Sequence, residues 1–202
     1  MTASFATGPS DPTVQPVPAA VVAQVDAADT TLHTPKRAVI SLGANLGNRL
    51  ETLQGAIDAL EDTPGVRVKA VSPVYETHPV GAPEGSPVFL NAVVLLDTTL
   101  AARTLLERAL AIEDAYGRER TGEPGEPRTL DVDLIVVGDR RSSDPDMRLP
   151  HPRAHERAFV LAPWHDVEPD AEIPDFGPVA KLLERAGSEG ITRRDDLVLQ
   201  LQ

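Results

Sequence analysis

Residues 127–137 read Pro-Arg-Thr-Leu-Asp-Val-Asp-Leu-Ile-Val-Val and predict a β-strand, because they are rich in apolar and β-branched residues. Side chains alternate between the two faces of a strand, so Asp131 and Asp133 are expected on one face, with Val132 and Leu134 facing a core. Neighbouring carboxylates repel each other and lose hydration when buried. A Mg²⁺ ion, which proteins hold through one or two carboxylates plus substrate phosphates, would remove that cost. The alternative is the solvated outer face of an edge strand.

The charge around this strand favours a small phosphorylated ligand. Arg128 lies three residues before the first aspartate, and a guanidinium group can hold phosphate through two parallel hydrogen bonds. Residues 118–157 contain eight arginines and nine acidic residues, so their net charge is 8 − 9 = −1, whereas the whole chain carries −12. A compact polyanion such as a nucleotide triphosphate fits this pattern better than a long polymer does.

Composition excludes several classes of protein. The chain has 202 residues and no cysteine, which rules out disulfides, thiolate metal sites and a cysteine nucleophile. Its net charge of −12 argues against a general nucleic-acid binder or a binder of anionic membranes. The N-terminus lacks a basic region followed by an apolar run, so a cytoplasmic protein is expected.

The chain divides into an extension and one domain. Residues 1–36 are rich in Pro, Ala, Thr, Asp and Val and predict a disordered extension. Residues 37–202 predict a single folded domain. Strands are predicted at residues 38–42, 66–76, 88–96 and 127–137, and helices are predicted to start near residues 48, 98 or 99, 154 and 178. This order is typical of the α+β class with a ferredoxin-like βαββαβ antiparallel sheet and helices on one face, here with extra C-terminal helices.

Three local signals refine this interpretation. Asn48 with Glu51 three residues later predicts a helix start, and Thr98 or Thr99 is a candidate cap for the next helix. Residues 43–48 predict a tight turn and not a Walker loop, because no Gly-Lys-Ser/Thr follows. Asn91 interrupts an apolar strand, where it could contact the polar edge of a heterocycle or hold a neighbouring loop.

Several segments, in this order along the chain, resemble the 6-hydroxymethyl-7,8-dihydropterin pyrophosphokinase family. They are residues 41–47 (SLGANLG), 72–77 (SPVYET), 89–92 (FLNA), 112–113 (IE), 117–120 (GRER), 127–133 (PRTLDVD), 149–151 (LPH) and 157–159 (RAF). The resemblance covers about residues 37–175. It implies transfer of pyrophosphate from ATP to the pterin hydroxymethyl oxygen with release of AMP, a step of folate biosynthesis.

The resemblance also implies roles for individual residues. Asp131 and Asp133 match a pair that binds two Mg²⁺ ions together with ATP, and Arg118 and Arg128 match arginines that contact the phosphates during transfer. Further nucleotide contacts are implied for Glu113, Arg120, His151 and Arg157. Pterin contacts are implied for Thr77, Val80, Phe89, Asn91 and Phe159, with the two phenylalanines on either side of the ring.

Three positions depart from the family pattern. Gly125 and Glu126 replace an aromatic or basic residue and a glycine before the Pro-Arg pair. Leu110 stands where a polar residue is expected three positions before Glu113, and a leucine side chain cannot form a hydrogen bond. These departures keep one alternative open, a non-catalytic ferredoxin-like module that binds a nucleotide or metal for regulation.

The expected partners are ATP and 6-hydroxymethyl-7,8-dihydropterin, with no nucleic acid, no membrane and a monomeric state. An RNA-binding ferredoxin-like domain conflicts with the acidic net charge and with the scarcity of aromatic residues on the predicted strands.

Overall fold

The computed structural model of the chain describes residues 34–78, 85–116 and 129–202. Its central element is a six-stranded sheet in which every pair of neighbouring strands is antiparallel. The strands are β1 (Lys36–Ala44), β2 (Val66–Val71), β3 (Val74–Thr77), β4 (Phe89–Thr98), β5 (Asp131–Val137) and β10 (Ile191–Arg194). The order across the sheet is β10-β3-β4-β1-β5, and β2 also pairs with β4.

Helices cover both faces of this sheet. The four α-helices in the described ranges are α1 (Arg49–Glu61), α2 (Ala102–Ala115), α3 (Ala158–Val167) and α4 (Val179–Ala186). The apolar sides of α1 and α2 bury Ile40, Leu42 and Val94 on one face. The C-terminal helices α3 and α4 bury Val39 and Val93 on the other. The predicted α+β class with an antiparallel sheet is confirmed, and the predicted extra helices provide the second layer.

Helix α1 begins as predicted, whereas α2 does not. The Asn48 side chain accepts a hydrogen bond from the Glu51 amide at 3.4 Å and caps α1. The residue preceding α2 is Ala101, which makes no capping bond, so the prediction of a Thr98 or Thr99 cap is wrong. Thr98 is the last residue of β4, and its hydroxyl donates to the Gly65 carbonyl at 2.8 Å. The threonine hydroxyl therefore binds the turn that precedes β2.

The strand predicted over residues 66–76 is two strands. Pro73 separates β2 from β3, because proline has no amide for a ladder hydrogen bond. The Ser72 hydroxyl accepts from the Val93 amide at 2.8 Å, and the Ser72 amide donates to the Val93 carbonyl at 2.9 Å. This serine maintains the contact with β4 across the interruption.

Further short elements were not predicted. They are β6 (Ser142–Asp144), β7 (Met147–Leu149), β8 (Glu172–Ile173), β9 (Gly177–Pro178) and the sheet strand β10, together with a 3₁₀ turn at Ala154–Glu156. The helix predicted from residue 154 starts only at Ala158, after that turn. Gly43 lies inside β1 and not in the predicted turn. Within the described ranges, no helix is long and apolar enough to cross a lipid bilayer.

Candidate active site

One transverse row of the sheet brings together residues predicted for two different ligands. Gly43 on β1 is directly opposite Asp131 on β5 and Asn91 on β4. Directly opposite residues project from the same face of a sheet. A Cβ atom placed on Gly43 would lie 3.1 Å from Asn91 Oδ1, 3.9 Å from Asp131 Cβ and 3.9 Å from the Phe89 ring. The glycine therefore lets a predicted metal ligand and two predicted pterin contacts approach one another. Sequence reasoning missed Gly43, although a glycine inside a strand is a known signal of such close approach.

The two aspartates share a face, as predicted. Asp131 and Asp133 are partly buried, while Val132 and Leu134 are buried in the core beneath α1 and α2. Ser41 is directly opposite Asp133. Two adjacent carboxylates fit a hard divalent cation whose remaining ligands are water and substrate oxygens. Among the described residues, no group of three or more acidic or histidine side chains is arranged to hold a metal ion without such added ligands.

The open edge of β5 is covered by two of the predicted nucleotide residues. Of the described strands, only β1 pairs with β5. Glu113, at the end of α2, is 1% exposed and accepts a hydrogen bond from the Val132 amide at 2.8 Å. The His151 amide donates to the Ile135 carbonyl at 2.8 Å. Both residues therefore fix the main chain of the strand that carries the aspartates.

His151 is held as a neutral imidazole. Its Nδ1 accepts a hydrogen bond from the Arg153 amide at 3.2 Å, which leaves the proton on Nε2. Burial, followed by the nearby charge of Arg157, lowers the pKa of His151 to about 4, although Asp131 acts in the opposite direction. At neutral pH this side chain therefore offers a hydrogen-bond donor and no positive charge.

Arg157 stands at the start of α3, next to the aspartate pair. Its Nη1 lies 3.6 Å from Asp133 Oδ2, and its guanidinium carbon lies 5.5 Å from the centroid of the Phe159 ring. The N-terminus of a helix carries a partial positive charge that attracts anions. A predicted nucleotide contact and a predicted pterin contact are thus joined by one short segment of chain.

The remaining predicted pterin contacts lie beside this row. Asn91 is buried, and its Nδ2 donates a hydrogen bond to the Thr77 hydroxyl on β3. Phe89 is directly opposite Thr77 and partly buried, and Phe159 packs on the core beneath α3. The stacked ring pair found in the described residues is His155 with Phe176, so Phe89 and Phe159 do not stack on each other.

A groove of about 360 Å³ runs along the open edge of β5, between α2 and the β6–β7 hairpin. It is lined by Glu113, Asp133 and His151. Leu110, one of the positions that depart from the family pattern, lines it as well. The pterin residues lie on the other side of the aspartates, towards β4. Two predicted nucleotide residues, Glu113 and His151, thus line the groove, whereas Arg157 lies beside the predicted pterin residue Phe159.

Four predicted site residues lie outside the described residues: Val80, Arg118, Arg120 and Arg128. The departures Gly125 and Glu126 lie there as well.

Comparison with known proteins identifies relatives over most of the chain. The model of the 7,8-dihydro-6-hydroxymethylpterin-pyrophosphokinase (HPPK) family matches residues 39–169. A Pseudomonas aeruginosa protein named 2-amino-4-hydroxy-6-hydroxymethyldihydropteridine pyrophosphokinase is 42% identical over 158 residues, covering 78% of this chain and 96% of that protein. A Mycobacterium leprae protein of the same name is 42% identical over 183 residues, covering 82% and 92%.

Solved structures share the fold. The crystal structure of wild-type Plasmodium falciparum HPPK-DHPS superposes with a TM-score of 0.62 at 14% sequence identity, covering 82% of this chain and 50% of that chain. The chain spans about half the length of that protein.

Proposed function

The chain belongs to the 7,8-dihydro-6-hydroxymethylpterin-pyrophosphokinase family, and on this basis we propose that it transfers pyrophosphate from ATP to 6-hydroxymethyl-7,8-dihydropterin. The products are the pterin diphosphate and AMP, and the reaction belongs to folate biosynthesis. The observation that carries the proposal is the row Asp131–Gly43–Asn91, because the carboxylate that we assign to the metal and phosphates and the amide that we assign to the pterin lie on either side of Gly43.

In this reaction the pterin hydroxymethyl oxygen attacks the β-phosphorus of ATP. The bond between that phosphorus and the oxygen bridging it to the α-phosphorus breaks, AMP leaves, and the hydroxyl proton is released to solvent. Asp131 and Asp133 are the residues that would hold Mg²⁺, and we propose two ions bound with ATP. The bound metal would neutralise charge on the phosphate oxygens. No side chain is assigned as general base, because positioning and charge neutralisation dominate phosphoryl transfer.

Arginines are proposed to bind the phosphates. Arg118 and Arg128 are proposed to stabilise the negative charge that develops on the phosphate oxygens during transfer. An arginine in this role can raise the rate by a factor of about 10³–10⁵. Arg157 is assigned to a phosphate of the bound nucleotide, supported by its place at the start of α3. Arg120 is assigned as a further nucleotide contact. A guanidinium group suits these roles because it matches phosphate with two hydrogen bonds.

The groove along β5 is proposed to receive the nucleotide. Glu113 fixes the strand at the bottom of the groove by accepting a hydrogen bond from the Val132 amide. The neutral His151 is proposed to donate its Nε2 hydrogen to a phosphate oxygen. The apolar side chains Leu106 and Leu110 line the wall formed by α2, which suits a purine ring.

The pterin is proposed to bind beside Asn91. The Asn91 side chain has an oxygen that can accept from the pterin edge while its nitrogen donates to Thr77. Phe89 and Phe159 are assigned to the two faces of the ring, where each stack contributes about 0.5–1.5 kcal/mol beyond area burial. Val80 completes this site.

The finer features of the molecule are proposals as well. The order β5-β1-β4-β2 with two crossover helices supports a ferredoxin-like sheet, extended here by β3 and β10. A monomer in the cytoplasm is proposed, and the absence of cysteine is compatible with a reducing compartment.

The test is to identify the product from ATP. With Mg²⁺, ATP and 6-hydroxymethyl-7,8-dihydropterin, the purified chain is expected to release AMP and no ADP, in an amount equal to the pterin diphosphate formed. Release of ADP would reject pyrophosphate transfer. ATP binding without pterin binding or turnover would favour the regulatory module.

A further inference from the structure

The transverse row through the candidate site continues to the opposite edge of the sheet. Asn91 is directly opposite Tyr75 on β3, and Tyr75 is directly opposite Arg193 on β10. Asp131, Gly43, Asn91, Tyr75 and Arg193 therefore lie on one line across five strands. Since directly opposite residues share a face, this line lies under α3.

Two residues of this row bind the carboxylate of Asp166, which lies in the last turn of α3. The Tyr75 hydroxyl donates a hydrogen bond to Asp166 Oδ2 at 2.7 Å, and Arg193 Nη1 lies 3.0 Å from the same oxygen. Burial and the neighbouring Asp166 carboxylate raise the pKa of Tyr75 to about 12, so the hydroxyl remains a donor at physiological pH. Tyr75, Asp166 and Arg193 are called the Asp166 cluster below.

Helix α3 is therefore held at both ends over the site. At its start, Arg157 lies 3.6 Å from Asp133 on β5. At its end, Asp166 is bound to β3 and β10. A ten-residue helix is about 15 Å long, and the four strand spacings from β5 to β10 amount to about 19 Å. These lengths agree with a helix that runs across the strands, from one edge of the sheet towards the other.

We propose that the Asp166 cluster positions α3 for pterin binding. Phe159 and Arg157 are fixed to the helix, whereas Asn91 and Asp131 are fixed to the sheet. The distance between these two groups of site residues therefore depends on how α3 is held against the sheet. Asp166, Tyr75 and Arg193 are positioning residues, and this inference rests on the proposed function. β10 lies beyond residues 39–169, where the family model matches.

The exposure of the charged side chains in the Asp166 cluster fits a role in positioning α3 better than a role in stabilising the fold. The side chains of Arg193 and Asp166 are 46% and 23% exposed, and ion pairs of that exposure contribute little to folding. The next residue, Arg194, makes comparable ion pairs with Glu76 and Asp196. It follows Arg193 on β10, so its side chain leaves the sheet on the other face. Arg194 is thus a matched control for loss of a guanidinium group from the same strand.

The test measures ligand affinity and the environment of α3 separately. Calorimetry gives Kd for 6-hydroxymethyl-7,8-dihydropterin in the presence of Mg²⁺ and α,β-methylene-ATP, and Kd for that nucleotide analogue alone. The single tryptophan of the chain, Trp164, is buried within α3, so its emission reports on the helix without any ligand. The variants are Arg193→Gln, Asp166→Ala, Asp166→Asn and Tyr75→Phe, with Arg194→Gln as the control.

Arg193→Gln, Asp166→Ala and Tyr75→Phe are expected to weaken pterin binding about threefold to tenfold and to shift the Trp164 emission, because small displacements of positioning groups are costly. KM for the pterin should rise in parallel, and the nucleotide Kd should rise by a smaller factor, because Arg157 lies on the same helix but at the end that is far from Asp166. Asp166→Asn keeps an acceptor for Tyr75 and should recover most of the affinity. Arg194→Gln should behave as the wild type.

Equal effects of Arg193→Gln and Arg194→Gln on Kd and emission would overturn the positioning role. So would an unchanged Trp164 emission in Asp166→Ala. If the wild-type chain binds no pterin, the proposed function fails, and the emission of the variants still decides whether the cluster holds α3.

Discussion

The Glu113 carboxylate accepts a hydrogen bond at 2.8 Å from the amide of Val132, the residue between Asp131 and Asp133. Replacing Glu113 with alanine would leave a buried amide without this acceptor, which costs about 1–3 kcal/mol. Glu113→Ala is therefore expected to lower the free energy of unfolding by that amount and to reduce kcat/KM for ATP. Urea unfolding and AMP release measure the two effects. Glu113→Gln keeps a carbonyl oxygen and should restore most of the stability; equal losses in both variants would contradict this explanation.

Asp131→Asn and Asp133→Asn are each expected to lower kcat by about 10²–10³-fold, the range for removal of one preorganised electrostatic group. Without metal, the stability of Asp133→Asn should change by less than about 1 kcal/mol, because the variant loses both the repulsion from Asp131 and the partly exposed ion pair with Arg157. AMP release as a function of Mg²⁺ concentration measures the first effect, and thermal unfolding in EDTA measures the second. Asp139→Asn, an exposed change just beyond the end of β5, is the control. Near wild-type turnover in both site variants would refute the metal role.

Gly43→Ala places a methyl group 3.1 Å from Asn91 Oδ1. Because β1 is extended there and alanine restricts the unfolded chain, the free energy of unfolding should change by less than about 1 kcal/mol. The crowded Asn91 must move, so the pterin Kd should rise more than the Kd of the nucleotide analogue. Calorimetry with each ligand compares the rise in the pterin Kd with the rise in the nucleotide Kd. An equal rise in both values would indicate general damage to the sheet.

The lowered pKa of His151 makes stability depend on pH in a definite direction. The unfolded imidazole takes up a proton near pH 6.5, whereas the folded one does so only near pH 4. Between these values the unfolded state binds more protons, so the free energy of unfolding should fall as pH is lowered from 6.5 to 4. Urea unfolding of the metal-free chain across this range measures the slope. His151→Gln should show a shallower fall, and an identical fall would refute a buried neutral histidine.

Gly55 on α1 is in close contact with Tyr116 at the end of α2. A Cβ atom on Gly55 would lie only 1.9 Å from the tyrosine hydroxyl but 3.1 Å from its ring carbon Cζ. Gly55→Ala should therefore destabilise the chain by about 1–3 kcal/mol through overpacking. Adding Tyr116→Phe removes the hydroxyl and should recover much of the loss in thermal unfolding. Additive losses in the double variant would show that this contact is not the cause.

Local patterns predicted the parts of the site that depend on one element. Alternation along a strand places Asp131 and Asp133 on one face, and spacing from the cap at Asn48 gives the start of α1. These features depend on neighbouring residues only, so they are visible in the sequence. The Thr98 hydroxyl was assigned wrongly because its partner, Gly65, is distant along the chain.

Features made by distant segments could not be predicted in the same way. Residues 191–194 form a short segment in which three of the four residues are polar, and they become a strand only by pairing with β3. The row from Asp131 to Arg193 requires the register of four strand pairs, which no single segment specifies. Glu113 was expected to contact a nucleotide, but nothing in the sequence indicated that its carboxylate also holds β5.

The pairing of β3 with β10 also bears on the order in which the chain folds. Residues 74–77 are synthesised long before residues 191–194. Pairing of strands so far apart in sequence is slow, because a large loop must close first. During synthesis, one edge of β3 therefore remains unpaired until residues 191–194 are made. The part of the sheet that we propose to bind the pterin is expected to fold last.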